Sequence, residues 1–441
     1  MSGRGVLICF CLQRLKNHPL FSIYHPSAMN VASPPAALEP ALGDLSPEAF
    51  LEDYWQQRPR VIREALPPRS TFSGAPGFTS PLAPEELAGL ALEEGVESRL
   101  ILKEGGAYPW ELRHGPFAED DFRALPEKNW TLLVQAVDQL VPAVGRLLEH
   151  FRFLPRWRLD DVMVSYAPEG GGVGAHLDHY DVFLVQGKGQ RRWRFSRAPV
   201  ENEEIVPGLD VRILADFEPD EEVVLEAGDL LYLPPRVAHH GISESEDCMT
   251  YSVGLRAPSH AEILAGYARA CAEQLTEEDR FADPALDAPP EHVGEISPEA
   301  REQVRRVVKR AAADDGAIDR WLGRHATRPP AGEPLLPPGE PPDANEMAAA
   351  IRDGQGLRPA PGARLAFFEN EDGSATLFAG GEPYDLPPER AFAAALLSDR
   401  RRLPPGALAP HLDEDGFPAL LARLVADGAL ELFAPGPEEP P

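Results

Sequence analysis

The spacing of apolar side chains changes along the chain between two patterns, one typical of strands and one typical of helices. Between about residues 160 and 254, short apolar runs such as DVMVSYA, VFLVQ and MTYSVGL alternate with turns rich in Gly and Pro. Runs of this length, with no long helix between them, predict an antiparallel β barrel or sandwich. On both sides of this region the apolar residues recur at helical spacing. We therefore predict a mainly β protein with additional α-helical regions.

Helical periodicity combined with start signals predicts four helices around the β region. SPEAFLEDYWQQRP begins with Ser46 as an N-cap, and NWTLLVQAVDQLVPAV, from Asn129, has the pattern of an amphipathic helix. SHAEILAGYARACAEQL opens with Ser259 and Glu262 at capping-box spacing. ISPEAREQVRRVVKRAA begins at Ser297 and carries its valines on one face.

The last hundred residues predict a separate small unit. A Pro-rich stretch at 329–343 marks a boundary, and short strands then alternate with helices, as in a winged helix. Residues 343–441 hold 17 acidic and 8 basic side chains. Binding to phosphates requires a basic surface, so this unit is better suited to packing or protein contact than to DNA.

These changes in apolar spacing and composition divide the chain into four parts. We predict a disordered N-terminal extension at 1–45, a β-barrel domain at 46–257, a helical region with the Pro-rich linker at 258–340, and a winged-helix-like domain at 341–441. The apolar run GVLICFCL near the start is too short to span a membrane and lacks a signal-peptide cleavage site. We expect a cytoplasmic protein, with Met29 as an alternative first residue.

Charge limits the kinds of binding partner that suit the chain, and cysteine content limits its compartment. The chain has 42 basic and 71 acidic side chains, a net charge of −29. This balance argues against direct binding of nucleic acid and favours a basic protein partner, although an acidic surface also serves solubility. The 4 cysteines form no metal-binding quartet and no disulfide framework, which fits a reducing compartment.

The candidate chemistry begins in GVGAHLDHYDVFLVQ. Residues two apart on a strand share a face, so His176, Asp178 and Tyr180 are predicted to point together. His179 and Asp181 then point away. A His and an Asp placed this way can hold one side of a metal ion, although a polar surface pair is the commoner meaning of an isolated H-x-D.

A third metal ligand is available downstream in GDLLYLPPRVAHHG, where either His239 or His240 is a candidate. Two His and one carboxylate with open positions form the site of non-haem Fe(II) oxygenases, which leaves room for a 2-oxo acid and for oxygen. Zinc accepts similar ligands, but the helical H-E-x-x-H pair typical of zinc proteases is absent.

A cation for the far end of a 2-oxo acid comes from QRRWRF. On a strand, Arg191 and Trp193 share one face and Arg192 and Arg194 the other. Arg191 is therefore the candidate for a bidentate grip on a distal carboxylate.

These stretches together resemble the bacterial ribosomal oxygenases of the JmjC (cupin) family. The carrying motifs are FLEDYWQQRPRVI, HGPF, DDVMVSYAPEGGGVGAHLDHYDVFLVQGKGQRRWRF, AGDLLYLPPRVAHHG and MTYSVGLRAP, and nearly all of the chain after Met29 is covered. The resemblance implies an Fe(II)- and 2-oxoglutarate-dependent dioxygenase that hydroxylates an arginine of a large-subunit ribosomal protein. It also implies a jelly-roll barrel, a helical dimerisation region that makes a homodimer, and a C-terminal winged-helix-like domain.

The same resemblance assigns roles to individual positions. It implies that the iron is bound by His176, Asp178 and His239, the first of the His pair, and that Arg191 holds the distal carboxylate of 2-oxoglutarate. It implies a pocket for the substrate arginine formed by Asp161, Met163, Tyr180 and Ser252. Asp161 suits a guanidinium and Tyr180 can stack on it, whereas Met163 and Ser252 fit core or rim packing equally well.

Two other readings of the function stay open. One is an oxygenase of different specificity, a histidine hydroxylase or a lysine demethylase. The other is a non-catalytic, metal-binding cupin scaffold, which leaves the Arg191 position unexplained.

Overall fold

The computed structural model describes residues 39–66, 78–103, 110–282, 292–329 and 335–434. The chain forms two compact units, the first ending at Ala257 and the second spanning Pro258–Ala434. Residues 1–38, with the GVLICFCL run, and 330–334 of the Pro-rich linker lie outside the described residues.

The first unit is built from antiparallel strands. Its described strands are β1 (Arg60–Ile62), β2 (Ser98–Lys103), β3 (Trp110–His114), β4 (Trp130–Val134), β5 (Leu159–Ala167), β6 (Val182–Lys188), β7 (Arg191–Pro199), β8 (Glu221–Leu225), β9 (Leu230–Leu233), β10 (Val237–Ser243) and β11 (Cys248–Leu255). They form an eight-stranded sheet of order β1-β9-β6-β11-β5-β4-β2-β3 and a three-stranded sheet of order β10-β7-β8. This arrangement confirms the predicted fold class, a double-stranded β-helix barrel.

The central strands of the large sheet, such as β4, β6 and β9, are buried on both faces, which is why they are mostly apolar. The outer face of this sheet packs on short helices, α1 (Pro47–Asp53), α2 (Pro84–Leu90), α3 (Glu119–Arg123), α4 (Val137–Leu140) and α5 (Pro142–Leu147). Phe50 is fully buried there, with ring contacts to Phe183 and Tyr232. The inner face meets the small sheet, where Leu184 and Leu231 pack with Trp193 and Phe195.

The prediction of a helix that begins at Asn129 is wrong. The segment forms strand β4, fully buried from Trp130 to Val134, and only then the one-turn helix α4. Trp130–Val134 lies between β2 and β5 in the large sheet, so ladder hydrogen bonds replace helical ones. A short apolar run buried on both faces has no period that separates strand from helix.

The other predicted starts of helices are confirmed. Ser46 caps α1 and accepts a hydrogen bond from the Ala49 amide at 3.2 Å.

The described end of the predicted extension is packed rather than disordered, since Ala41 and Leu42 are buried and the Ala41 amide donates to the His150 carbonyl at 3.0 Å.

The second unit contains three helices followed by a small α+β core. Its described elements are α6 (His260–Glu273), α7 (Pro298–Ala312), α8 (Asp315–Thr327), α9 (Ala344–Arg352), β12 (Gly356–Pro359), β13 (Leu365–Glu369), β14 (Ala375–Ala379), β15 (Glu382–Leu386), α10 (Phe392–Ser398), α11 (Pro405–Leu408), α12 (Phe417–Ala426) and β16 (Leu430–Phe433). Strands β13-β14-β15 form one sheet and β12-β16 another. Within the described ranges, no helix combines the length and apolarity needed to cross a membrane.

Candidate metal centre and co-substrate site

The two predicted His ligands lie opposite each other across a narrow backbone bridge. The His176 amide donates to the His239 carbonyl at 3.0 Å, and the His239 amide donates back to the His176 carbonyl at 2.8 Å. Two residues later the Asp178 carbonyl accepts from the Arg236 amide at 2.6 Å. The backbone around the candidate ligands is therefore fixed by the strand that carries His239.

The regular strand predicted through this segment begins later than expected. His176 forms only an isolated bridge, and β6 starts at Val182. His176 and Asp178 still share a side, as the i, i+2 spacing predicts. Asp181 points away into a buried network with Tyr232, and His179 is exposed beside Glu203.

Side-chain atoms of His176, Asp178 and His239 converge, each offering one ligand atom within 4.8 Å of the others. The Nε2 of His239 lies 3.7 Å from an Asp178 oxygen. His239 is buried and the other two are partly buried. His240, the rival candidate, follows on β10 and is not a member of this cluster.

Both imidazoles are held in the tautomer that a metal site requires. Nδ1 of His176 donates to the Gly174 carbonyl at 3.1 Å, and Nδ1 of His239 donates to the Val237 carbonyl at 3.0 Å. Because a carbonyl can only accept, Nδ1 carries a hydrogen in both rings, and in a neutral ring this leaves the lone pair on Nε2. Burial, and then the neighbouring His176, lower the pKa of His239 to about 4, which keeps this ring neutral.

Arg191 is the first residue of β7 and is only 3% exposed. Its Nη2 is buried without a hydrogen-bond partner among the described residues. Its Nε donates to Cys248 Sγ at 3.4 Å, and its Cζ lies 5.8 Å from the centre of the Trp193 ring. Trp193 in turn lies beside His239, with ring centres 5.9 Å apart. The inner face thus runs from the metal cluster past Trp193 to Arg191, for which the described part of the chain provides no carboxylate partner.

Arg192 provides the internal contrast to Arg191. As the alternation predicts, it points outward, where it pairs with Glu222 and Glu244. Two neighbouring arginines therefore differ in environment, one neutralised at the surface and one buried with an unused donor. An unpaired buried donor costs free energy, which a bound carboxylate would recover.

Strands β5 and β11 carry three of the four residues that the resemblance placed in a substrate pocket, and the fourth, Tyr180, lies just before β6. Ser252 and Met163 are paired in register, and Asp161 lies two residues before Met163 on the same face. A β-carbon added to Gly254 would lie 3.8 Å from Asp161 Oδ1 and 3.9 Å from Tyr180 Cε2. Asp161 and Tyr180 therefore flank one small space above Gly254.

Asp161 has one occupied oxygen and a raised pKa. Gln135 Nε2 and the Ala136 amide both donate to Oδ2, at 2.8 and 2.9 Å. Burial first, and then the carboxylates of Asp160 and Asp138, raise the pKa of Asp161 to about 6. A cation bound next to Asp161 would stabilise the ionised form of this carboxylate.

Tyr180 links this space to the metal cluster. It remains 41% exposed, and its hydroxyl lies within the influence of the charges of Asp178 and Asp161. Burial of the hydroxyl, followed by the charges of Asp178 and Asp161, raises its pKa. The phenol therefore stays neutral and lies between the candidate metal ligand and the candidate substrate carboxylate.

Three contacts in this region were not identified from the sequence. They are those of Cys248 and Gln186 near Arg191, and that of Gln135 with Asp161. Each joins residues at least 26 positions apart, so no local motif signals them.

Comparison with known proteins identifies the family. The JmjC domain family matches residues 146–263, and the ROXA-like winged helix family matches residues 310–431. A relative described as ribosomal protein uL16 3-hydroxylase, from Escherichia coli (strain K12), is 35% identical over 380 residues, which cover 86% of this chain and 95% of the relative. The chain belongs to the bacterial ribosomal oxygenases. It is an enzyme of the JmjC type, as the resemblance predicted.

Further relatives agree with this assignment. A probable ribosomal oxygenase of Haemophilus influenzae is 42% identical over 52% of this chain and 54% of its own length. The crystal structure of E. coli YcfD shares the fold with a TM-score of 0.75 at 34% identity, covering 88% of this chain and 99% of that one. A second structure of YcfD, described as a ribosomal oxygenase in complex with cobalt and 2-oxoglutarate, gives a TM-score of 0.72 over 88% of this chain and 98% of that one.

The residues present in this oxygenase fit the metal and the co-substrate of the family. Two imidazoles and one carboxylate are the donor set of non-haem Fe(II) oxygenases. The unpartnered Nη2 of Arg191 fits the second carboxylate of 2-oxoglutarate. The predicted cofactors, Fe(II), 2-oxoglutarate and O2, are thereby supported by both the family and the site.

Proposed function

We propose that this oxygenase hydroxylates an arginine side chain of a large-subunit ribosomal protein, uL16. The observation that carries the chemistry is the convergence of His176, Asp178 and His239, with Arg191 on the same inner face and its Nη2 without a partner among the described residues. The name of the E. coli relative supplies the protein substrate. The preference for arginine rests on the space between Asp161 and Tyr180.

Iron would be held by Nε2 of both histidines and by the Asp178 carboxylate. When bound, Fe(II) and 2-oxoglutarate supply the oxidation, in which O2 converts 2-oxoglutarate to succinate and CO2 and a C–H bond to C–OH. The Nδ1 hydrogen bonds to backbone carbonyls keep both rings oriented throughout.

Arg191 would orient the co-substrate by pairing with its distal carboxylate. The guanidinium lies in a buried, apolar setting, so the ion pair is less weakened by water than a surface pair. Leu184, Leu231 and Trp193 line the same interior and exclude water from it.

Asp161 would bind the substrate guanidinium, since it is an acid with one oxygen directed toward the space above Gly254. Tyr180 would cover the guanidinium plane and bring the target carbon near the metal ligands. Met163 and Ser252 would line the same pocket, as neighbours in register on β5 and β11.

The co-substrate site is tested by anaerobic titration with Fe(II) and 2-oxoglutarate, followed by the visible metal-to-ligand charge-transfer band. We expect a band in the wild type, its loss in His176→Ala and its weakening in Arg191→Ala. Matched controls are His179→Ala and Arg192→Ala, whose side chains lie at the surface. Iron-loaded, folded wild type without a band would favour a metal-binding cupin scaffold.

The substrate is tested by mass spectrometry of uL16 and its peptides after incubation with enzyme, iron and 2-oxoglutarate. We expect the gain of one oxygen atom on an arginine. Oxygen added to a histidine would instead indicate a histidine hydroxylase. Loss of methyl groups with release of formaldehyde would indicate a lysine demethylase, which is the second alternative for a pocket that binds a cationic side chain.

The acidic balance of the chain supports a basic ribosomal protein as partner in the cytoplasm, with no direct contact to nucleic acid. If charge steers the encounter, kcat/KM should fall steeply with added salt. Equal kcat/KM at low and high salt would show that charge does not steer the encounter with the substrate.

A homodimer is proposed through the helical region, residues 258–340. Leu264 on α6 is 70% exposed, and Val304, Val307 and Val308 on α7 are 53%, 63% and 63% exposed. We expect light scattering to give a dimer that Val307→Glu disrupts. Val293→Glu is the control, because Val293 is 95% exposed and lies outside these helices.

A further inference from the structure

The guanidinium of Arg191 is held on one side by a cysteine. Arg191 Nε donates to the Sγ of Cys248 at 3.4 Å, and Cys248 is fully buried at the start of β11. A guanidinium is planar and rigid, so fixing Nε also fixes the plane in which the two Nη groups lie. With its Cζ placed beside Trp193, the direction of the unpartnered Nη2 is set by the contact with Cys248.

The cysteine is itself fixed by a buried amide. Gln186 Nε2 donates to Cys248 Sγ at 3.3 Å and to the Lys188 carbonyl at 2.8 Å, while Gln186 Oε1 accepts from Thr250 Oγ1 at 3.1 Å. Gln186 is fully buried and Thr250 is 1% exposed. The acceptor for Arg191 is therefore placed by a network that solvent does not reach.

The chemistry of sulfur suits this position. A carboxylate at residue 248 would neutralise Arg191 and compete with an incoming anion. A thiol sulfur is a weak, uncharged acceptor, so it orients the guanidinium and leaves its charge available.

We propose that Cys248 is a positioning residue for the co-substrate, holding Arg191 so that Nη2 faces the distal carboxylate of 2-oxoglutarate. The proposal rests on the proposed function of Arg191. It adds Cys248 and, behind it, Gln186 to the residues that determine the affinity for 2-oxoglutarate.

The test is the Kd for 2-oxoglutarate, measured anaerobically on Fe(II)-loaded full-length protein by the charge-transfer band. We expect Cys248→Ala to raise the Kd about tenfold, the size of one lost hydrogen bond to a charged group. Cys248→Ser retains an acceptor and should recover part of the loss. Cys271→Ala is the matched control, since Cys271 lies on α6 in the second unit and should leave the Kd unchanged.

A double-mutant cycle separates positioning from general damage. If Cys248 acts through Arg191, then Cys248→Ala should have no further effect on the Kd in an Arg191→Ala background. An equal loss in both backgrounds would mean that Cys248 acts only on packing, and the proposal would fail. If Cys248→Ala does not fold, Cys248→Ser carries the same cycle.

The outcomes also distinguish a failure of the Cys248 proposal from a failure of the proposed co-substrate site on which it rests. A wild-type Kd for Cys248→Ala and Cys248→Ser, together with a large loss in Arg191→Ala, overturns the role of Cys248 and leaves the co-substrate site in place. A wild-type Kd for Arg191→Ala overturns the co-substrate site itself.

Discussion

The carboxylate of Asp181 lies three residues after the candidate ligand Asp178 and is completely buried. It accepts from the Tyr232 hydroxyl at 2.6 Å and from Gln56 Nε2 at 3.1 Å, and Arg158 Nη2 lies 3.5 Å away. Burial and the Asp181 charge raise the pKa of Tyr232, so this phenol remains a donor. Asp181 therefore joins the segment after α1 to the start of β6.

Asp181→Asn should destabilise the first unit by about 3–5 kcal/mol. If the new amide oxygen keeps the bond from Tyr232, the amide nitrogen faces the donors of Gln56 and Arg158, and both contacts are lost. Hydrogen bonds to a charged group contribute about 1.5–3 kcal/mol each, so the loss of two gives about 3–6 kcal/mol, which includes this estimate. Arg158 retains some access to water, so the upper end of the range is not exceeded.

The measurement is the free energy of unfolding in urea, followed by near-ultraviolet circular dichroism from the aromatic cluster around Phe50 and Tyr232. Asp160→Asn is the matched control. Asp160 is 46% exposed and pairs with Arg256 at 3.0 Å, so its loss should cost less than about 1 kcal/mol. If Asp181→Asn costs no more than Asp160→Asn, the buried network does not stabilise the fold as argued.

Three further predictions follow from the site and the core. The kcat/KM for an arginine-containing peptide should rise with pH through about 6, because Asp161 must lose its proton to bind a guanidinium, and this step should vanish in Asp161→Asn; a pH profile shared by both enzymes would exclude Asp161 as the cause. Gly254→Val should abolish peptide hydroxylation by filling the space beside Tyr180 while leaving the Kd for 2-oxoglutarate unchanged, and hydroxylation at the wild-type rate would show that the pocket lies elsewhere. Phe50→Ala should destabilise the protein by about 3–5 kcal/mol, since Phe50 is fully buried against Phe183, and a thermal melt with an unchanged midpoint would contradict that estimate.

Local pattern was sufficient wherever the physical cause is local. Ser46 caps α1 because its hydroxyl satisfies an amide three residues on, a relation contained in four residues of sequence. The contrast between Arg191 and Arg192 follows in the same way from strand alternation, since neighbouring side chains point to opposite faces.

Prediction from local pattern failed where a strand is buried on both faces, because its apolar residues then show no alternation that identifies a strand. The segment from Asn129 reads as a helix, but Trp130–Val134 is a central strand, and only its neighbours β2 and β5 decide this. His176 and Asp178 share a side without a regular strand, because their backbone bonds to β10 and to Arg236 impose the geometry.

By itself, the sequence determined the fold class, the ligand types and their approximate order along the chain, because alternation, capping and motif spacing act over a few residues. Its spacing alone left His239 and His240 open, and the family resemblance implied His239, which the tertiary structure brings to His176. Only the tertiary structure decided that Cys248 and Gln186 support Arg191, and that Asp161 keeps one oxygen directed at the space above Gly254. These contacts join strands far apart in the chain, and their geometry depends on register, burial and the hydrogen bonds left over once the sheets have formed.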